Sequence, residues 1–164
     1  MILAVLGHQK NYLKIIPAVF GKIELISILP HCKSSIMERK VKYEMEFPIH
    51  VSPSLLYQYI STPSGMSEWY ADNVNSRGQL FTFIWEGSEE QAKLLGKKSG
   101  ERIKFRWVDD EDTDYFFELR IQVDDITKDV SLMITDFAEE DEVEEGKMLW
   151  ENMIANLKHI LGSA

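Results

Sequence analysis

The sequence predicts an α+β domain over residues 37–164: a curved antiparallel sheet of about six or seven strands wrapped around a long C-terminal helix, with two short helices after strand 1. Three observations carry this. Short stretches after residue 40 alternate apolar and polar residues, the period of strands with one buried face. Two Ser/Thr-Pro pairs follow the first of these stretches, each a signal for the start of a helix. Near the C-terminus, apolar residues recur at helical spacing for about five turns.

Lys40–Phe47 places Val41, Tyr43, Met45 and Phe47 on one face and Lys42, Glu44 and Glu46 on the other, which predicts a half-buried antiparallel strand. Ser52-Pro53 reads as an N-cap followed by proline in the first helical position, and the helix behind it carries the stripe Leu55, Leu56, Tyr59 and Ile60. Thr62-Pro63 repeats the signal for a second short helix with Met66, Trp69 and Tyr70, weakened internally by Gly65.

A run of strands follows. Phe81, Phe83 and Trp85 alternate with Thr82 and Ile84, and Glu86-Gly87 is a turn. Glu90–Lys97 is a weaker strand with Ala92 and Leu94 facing one way, closed by the turn Ser99-Gly100. Ile103, Phe105 and Trp107 alternate with Arg102, Lys104 and Arg106. The acidic connection Asp109–Asp114 leads to Tyr115, Phe117, Leu119 and Ile121, and Val130, Leu132 and Ile134 make the last strand. The final helix, from about Glu144 to Leu161, carries Trp150, Met153, Ile154, Leu157 and Leu161 on one stripe and ends at Gly162. It is roughly 27 Å long, enough to cover a curled sheet. Glu142, Glu144 and Glu145 at its start complement the helix dipole.

Composition narrows the function classes. Of the 164 residues 45% are apolar and 11% aromatic, ample for a core, and no Pro/Gly/Ser-rich linker divides the chain. The first 36 residues hold four lysines and one glutamate, +3, which leaves −12 for the rest of a chain of net charge −9. Phosphate backbones and anionic membrane surfaces repel so acidic a domain, and nucleic-acid binding is not expected. The single cysteine, Cys32, forms no intrachain disulfide, and a reduced, cytoplasmic protein is expected.

Residues 1–36 are basic, with apolar runs (Ile15–Phe20, Leu25–Leu29) of neither helical nor strand period. Lysines and Glu24 interrupt each run, so neither a signal peptide nor a membrane span is expected. Two readings stay open: an extension that packs on the domain or a partner, or a stretch upstream of a true start at Met37, which a well-patterned strand follows at once.

The order of elements, with Ser52-Pro53, an apolar helix, Thr62-Pro63-Ser64-Gly65 and Glu68-Trp69-Tyr70-Ala71-Asp72, resembles the START-like helix-grip superfamily, also called the SRPBCC or birch-pollen-allergen fold. These residues are similar to the opening of bacterial START-like domain proteins and, more distantly, to homologues of the activator of the heat-shock chaperone ATPase. The resemblance covers residues 38–162. It implies an apolar cavity between helix and sheet, lined from the sheet by Phe81, Phe83, Trp85, Phe105, Trp107 and Phe117. Trp150, Met153, Ile154 and Leu157 would line it from the helix, with Trp69 near the mouth. The same aromatic stripe also reads as plain core. Because the superfamily mixes lipid carriers, cyclases and co-chaperones, the resemblance is specific for fold rather than activity.

Catalytic signals are sparse. His8 and His31 lie in the basic leader, His159 sits where a cation suits the helix dipole, and His50 has no carboxylate or nucleophile partner in sequence. Without an H-x-x-x-H or C-x-x-C pair a zinc site is unsupported, and no cofactor is expected. Asp110, Asp112 and Asp114 mimic the start of a calcium loop, but Tyr115 and Ile121 stand where glycine and glutamate are required, so a solvated hairpin tip is expected. The run Glu139–Glu145 reads as helix-start charge and solubility. Asp72 is the one candidate acid or base, with an exposed loop carboxylate as its competing reading. The expected function is a non-enzymatic binding module for an apolar or amphipathic, lipid-like molecule. An acidic domain that engages a protein partner in the manner of a co-chaperone is the alternative, and a cyclase or dehydratase the third.

Overall fold

The computed structural model describes residues 39–163. Seven strands form one antiparallel sheet: β1 (Val41–Pro48), β2 (Asn73–Arg77), β3 (Leu80–Trp85), β4 (Ser88–Lys98), β5 (Arg102–Trp107), β6 (Phe117–Val123) and β7 (Val130–Ala138). Helices α1 (Pro53–Ser61) and α2 (Pro63–Met66) lie between β1 and β2, and α3 (Val143–Leu161) ends the described chain. The strand order β1-β7-β6-β5-β4-β3-β2 is a meander from β2 to β7 onto which β1 adds. Consecutive strands β1 and β2 therefore occupy opposite edges, and residues 49–72 must cross the sheet between them. This is the α+β helix-grip architecture expected from the alternation and the resemblance.

Local chemistry explains the helices. Ser52 Oγ accepts from Leu55 N at 3.3 Å, and Thr62 Oγ1 accepts from Gly65 N at 3.0 Å while donating to Gln58 O at 2.8 Å. Gly65 is required rather than merely tolerated, because a Cβ there would stand 2.7 Å from Tyr59 Cα. Four residues suffice for α2, and Trp69 and Tyr70, expected on this helix, lie beyond it in a turn. Leu56 and Ile60 are buried, whereas Leu55, expected on the same stripe, is exposed. Helix α3 ends as expected at Gly162 (φ +65), whose N–H reaches His159 O, with Ser163 N bonding Lys158 O.

Three strands depart from the expectation. β2 carries one buried apolar side chain, Val74, so alternation could not reveal this edge strand. β4 extends from Ser88 to Lys98 with a bulge between Leu94 and Gly96 that bends it. β6 starts at Phe117, and Tyr115 stays outside it, half-buried. Asp110 is not at a solvated tip: it is buried, and Lys40 Nζ bonds both of its carboxylate oxygens at 2.9 and 2.8 Å. Asp112 and Asp114 are exposed. The expectations for residues 1–36, with His8, His31 and Cys32, lie outside the described residues.

The hairpin between β3 and β4 turns on Glu86 (φ +49) and Gly87 (φ +85), both left-handed as a two-residue loop of this kind requires. Glutamate is poorly suited to the first position, where asparagine is favoured. Glu86→Asn is expected to raise stability by roughly 0.5 kcal/mol, read as a higher urea midpoint at unchanged m-value.

Candidate functional site

The inner face of the sheet is built from every second residue of β3, β5 and β6. Phe81 pairs with Ala92 and Ala92 with Trp107, so the small residue of β4 leaves room for rings on both sides. Phe105 pairs with Phe117, their rings stacked at 5.1 Å between centroids. Phe83 meets Trp85, Phe105, Trp107 and Phe117 at 5.6–6.4 Å. From α3, Trp150, Met153, Ile154 and Leu157 are buried on one stripe, and Trp150 reaches Phe117 at 6.5 Å. The backbone of α3 draws close to β1 and β7, and that of α1 to β5 and β6. Large side chains bridge the remaining distance between helix and sheet.

All eleven residues expected to line a cavity are buried; Trp85, Trp107 and Met153 keep the most exposure, 8–9%. Trp69, expected near the mouth, is 4% exposed and donates its indole N–H to Tyr59 O at 3.0 Å. The residue that joins these groups, Tyr70, was not singled out from the sequence. Its ring touches Trp69, Phe83, Trp85, Phe117 and Trp150, with centroids 5.2–6.1 Å away. Its backbone oxygen accepts the Trp85 indole N–H at 2.9 Å. Burial, followed by the charge of Asp136, pushes the Tyr70 hydroxyl well above its ordinary range, so it stays protonated.

A polar group also reaches this apolar interior. Asp136 of β7 accepts from Trp150 Nε1 at 2.9 Å and from Tyr43 Oη at 3.2 Å through one oxygen, and from Phe137 N at 2.8 Å through the other. Burial and the Asp136 charge push the Tyr43 hydroxyl far upward. The sequence carried a signal for this group, because Asp136 continues the inward parity of Leu132 and Ile134 at a position where an apolar residue is the norm. A second polar atom is notable: Tyr57 Oη is the one buried side-chain oxygen or nitrogen among the described residues that has no hydrogen-bond partner.

The candidate acid or base lies elsewhere. Asp72 is exposed, and its carboxylate accepts Glu86 N–H at 2.7 Å, which ties the segment after Tyr70 to the β3–β4 turn. His50 is exposed, and its backbone N–H donates to Ser163 Oγ at 2.6 Å; His159 is exposed in the last turn of α3. Among the described residues no group of three His, Cys, Asp or Glu side chains could hold a metal ion, and no helix is long and apolar enough to cross a membrane.

A family model described as a START-like superfamily domain matches residues 37–163. Among solved structures, the chain is similar to a Bacteroides fragilis protein at 34% identity and a TM-score of 0.55, covering 74% of this chain and 91% of that one. It shares its fold with the Aha1 dimer from Colwellia psychrerythraea (14% identity, TM-score 0.61, 72% and 93% covered). The same holds for CalU16 from Micromonospora echinospora (15%, 0.59, 76% and 77%). No curated protein matches the chain.

The polar group sets a steric test. A Cβ at Gly146 of α3 would stand 2.7 Å from Tyr43 Oη. Alanine in place of a helical glycine ordinarily gains up to about 1 kcal/mol. Gly146→Ala is expected instead to lose about 1 kcal/mol, and the loss should vanish when the same change is made in Tyr43→Phe, which lacks the hydroxyl. Urea unfolding of the two single variants and the double variant measures this coupling.

Proposed function

Because the chain belongs to the START-like superfamily, we propose that it is a non-enzymatic binding module that holds an apolar or amphipathic, lipid-like small molecule between sheet and helix. One observation carries the reading: side chains, most of them aromatic, rather than close backbone packing span the space between α3 and strands β3 to β6. A molecule entering there exchanges ring–ring contacts for ring–ligand contacts of the same kind. Affinity comes from apolar burial, at about 25 cal/mol per Å². Phe81, Phe83, Trp85, Phe105, Trp107 and Phe117 form the sheet-side wall, Trp150, Met153, Ile154 and Leu157 the helix-side wall, and Trp69 stands near the mouth.

The polar atoms suit an amphipathic ligand better than a pure hydrocarbon. The Asp136–Tyr43–Trp150 cluster offers a polar wall at the start of α3. The binding reading needs no reacting group, and Asp72, already bonded to Glu86 N–H on the outside, supports none. The protein is placed in the cytoplasm in this reading, without a cofactor. A second reading, contact with a basic protein partner, is favoured by the exposed acidic residues at 140–142 and 144–145 at the start of α3.

All four tryptophans of the chain, Trp69, Trp85, Trp107 and Trp150, belong to the proposed walls, so indole emission reports on the site with no background from elsewhere. The full chain, purified gently from its own host, is expected to carry a reproducible extra mass in native mass spectrometry that is lost on denaturation. Delipidated protein titrated with a fatty acid should show a saturable change in emission, one ligand per chain. A bare mass together with unchanged emission would sink the reading.

A further inference from the structure

The outer face of the sheet, away from the aromatic wall, carries a second feature. Strand register places Arg77 opposite Leu80, Leu80 opposite Lys93, and Lys93 opposite Arg106, so one row crosses β2 to β5 with three cations in it. A parallel row crosses β4 to β6, with Lys98 opposite Arg102 and Arg102 opposite Arg120. Along β5 the two rows are four residues apart, about 13 Å, and Lys104 lies between them. Like charges directly opposite one another weaken a sheet. This face therefore concentrates seven cations in a domain whose net charge is −12, and five of them (Lys93, Arg106, Lys98, Arg102 and Arg120) stand directly opposite another cation, while Lys104 stands opposite Glu118.

Local partners answer only part of this charge. Arg102 meets Glu118 at 3.5 Å, Lys98 pairs with Glu101, and Lys104 Nζ stands 3.4 Å over the Phe116 ring. Arg106 gives its Nε–H to Tyr115 O at 3.0 Å. Lys93 has Glu111 only at 3.9 Å, with both side chains more than half exposed. Around the first row lies a depression of about 620 Å³, in which Leu80, Leu95 and Val108 sit among Arg77, Lys93 and Arg106. Leu95 and Val108 are 39% and 40% exposed. An apolar floor and a rim of three cations and one carboxylate, Glu111, occur together.

We propose that this outer face docks an extended acidic segment of a partner protein, with an apolar side chain in the depression and carboxylates on the two cationic rows. The row spacing of about 13 Å matches carboxylates four residues apart in an extended chain, all on one side of it. A single small anion would meet one row and leave the other unanswered. Nucleic acid and anionic membranes meet the repulsion of the acidic domain as a whole, whereas a short acidic segment reaches the rows alone. The inference stands apart from ligand binding in the interior, since none of these cations faces it.

The test uses the full chain and a fluorescein-labelled peptide of glutamates and aspartates bracketing a leucine and a phenylalanine. Anisotropy should show saturable binding that weakens as salt rises from 0.05 to 0.5 M, about a threefold shortening of the screening length. Arg77→Glu with Lys93→Glu should weaken it by about tenfold or more, while Lys158→Glu on α3 leaves it unchanged. Lys93→Gln, which removes one like-charge opposition, should raise the melting temperature of the free protein. Circular dichroism confirms that each variant is folded. Equal affinity for the doubly reversed variant, or for the glutamine/asparagine version of the peptide, would overturn the proposal. So would binding confined to phosphatidylserine vesicles or to an oligonucleotide, which would assign the face to a lipid surface or to nucleic acid.

Discussion

The two edges of the sheet belong to consecutive strands, and the chain must therefore bridge the whole inner face between β1 and β2. The bridge is fastened at each stage. Trp69 bonds Tyr59 O and so folds the turn at 67–72 back on α1; Tyr70 O takes the indole of Trp85 in β3; Asp72 holds the β3–β4 turn. Asn156 of α3 contacts Trp69 O at 3.5 Å. The bond to Tyr70 O satisfies a buried backbone carbonyl that would otherwise cost about 1–3 kcal/mol, whereas the bond to Glu86 N lies at the surface. The segment Glu68-Trp69-Tyr70-Ala71-Asp72 thus joins α1, β3, the β3–β4 turn and α3, and the position of the helix over the sheet depends on it.

The inner face combines large rings with a few polar atoms at particular places. Asp136, Tyr43 and Trp150 form a bonded cluster where β1, β7 and α3 converge, and Gly146 is what allows the helix to pass over the Tyr43 hydroxyl. At such a point an aliphatic trio of the same volume would stabilise as much or more. The polar trio instead fixes one depth for α3, since Trp150 can bond Asp136 only when its indole N–H meets that carboxylate.

Strand and helix periods were legible because burial is one-sided. Phe81, Phe83, Trp85, Phe105, Trp107 and Phe117 face one way at every second residue, and Trp150, Met153, Ile154 and Leu157 repeat at helical spacing. β2 was not legible, since an edge strand that buries only Val74 has no alternation to read. Tyr70 was visible as an aromatic but not as the centre of the ring cluster, because its role depends on contacts from three separate elements, β3, β6 and α3. Asp110 misled for the opposite reason: its acidic neighbours suggest solvent, while its partner Lys40 lies 70 positions away. The outer cationic rows were hidden as well, because each strand alone shows ordinary alternating charge and only the register aligns Lys93 with Arg106 and Arg102 with Arg120.

Both ends of the described chain are tied back into the body. Lys40 is clasped by Asp110 and its N–H reaches Tyr115 Oη at 3.1 Å, while Ser163 fixes His50 through a hydroxyl bond and is itself 95% buried. Domains commonly begin to open by fraying at their termini. Among the described residues that route is closed at both ends by these side-chain bonds. The connection between β6 and β7 is exposed at every residue from 124 to 129, although Asp124 accepts the N–H groups of Ile126, Thr127 and Lys128. A nick there would leave two fragments, each still knotted to the other through the sheet.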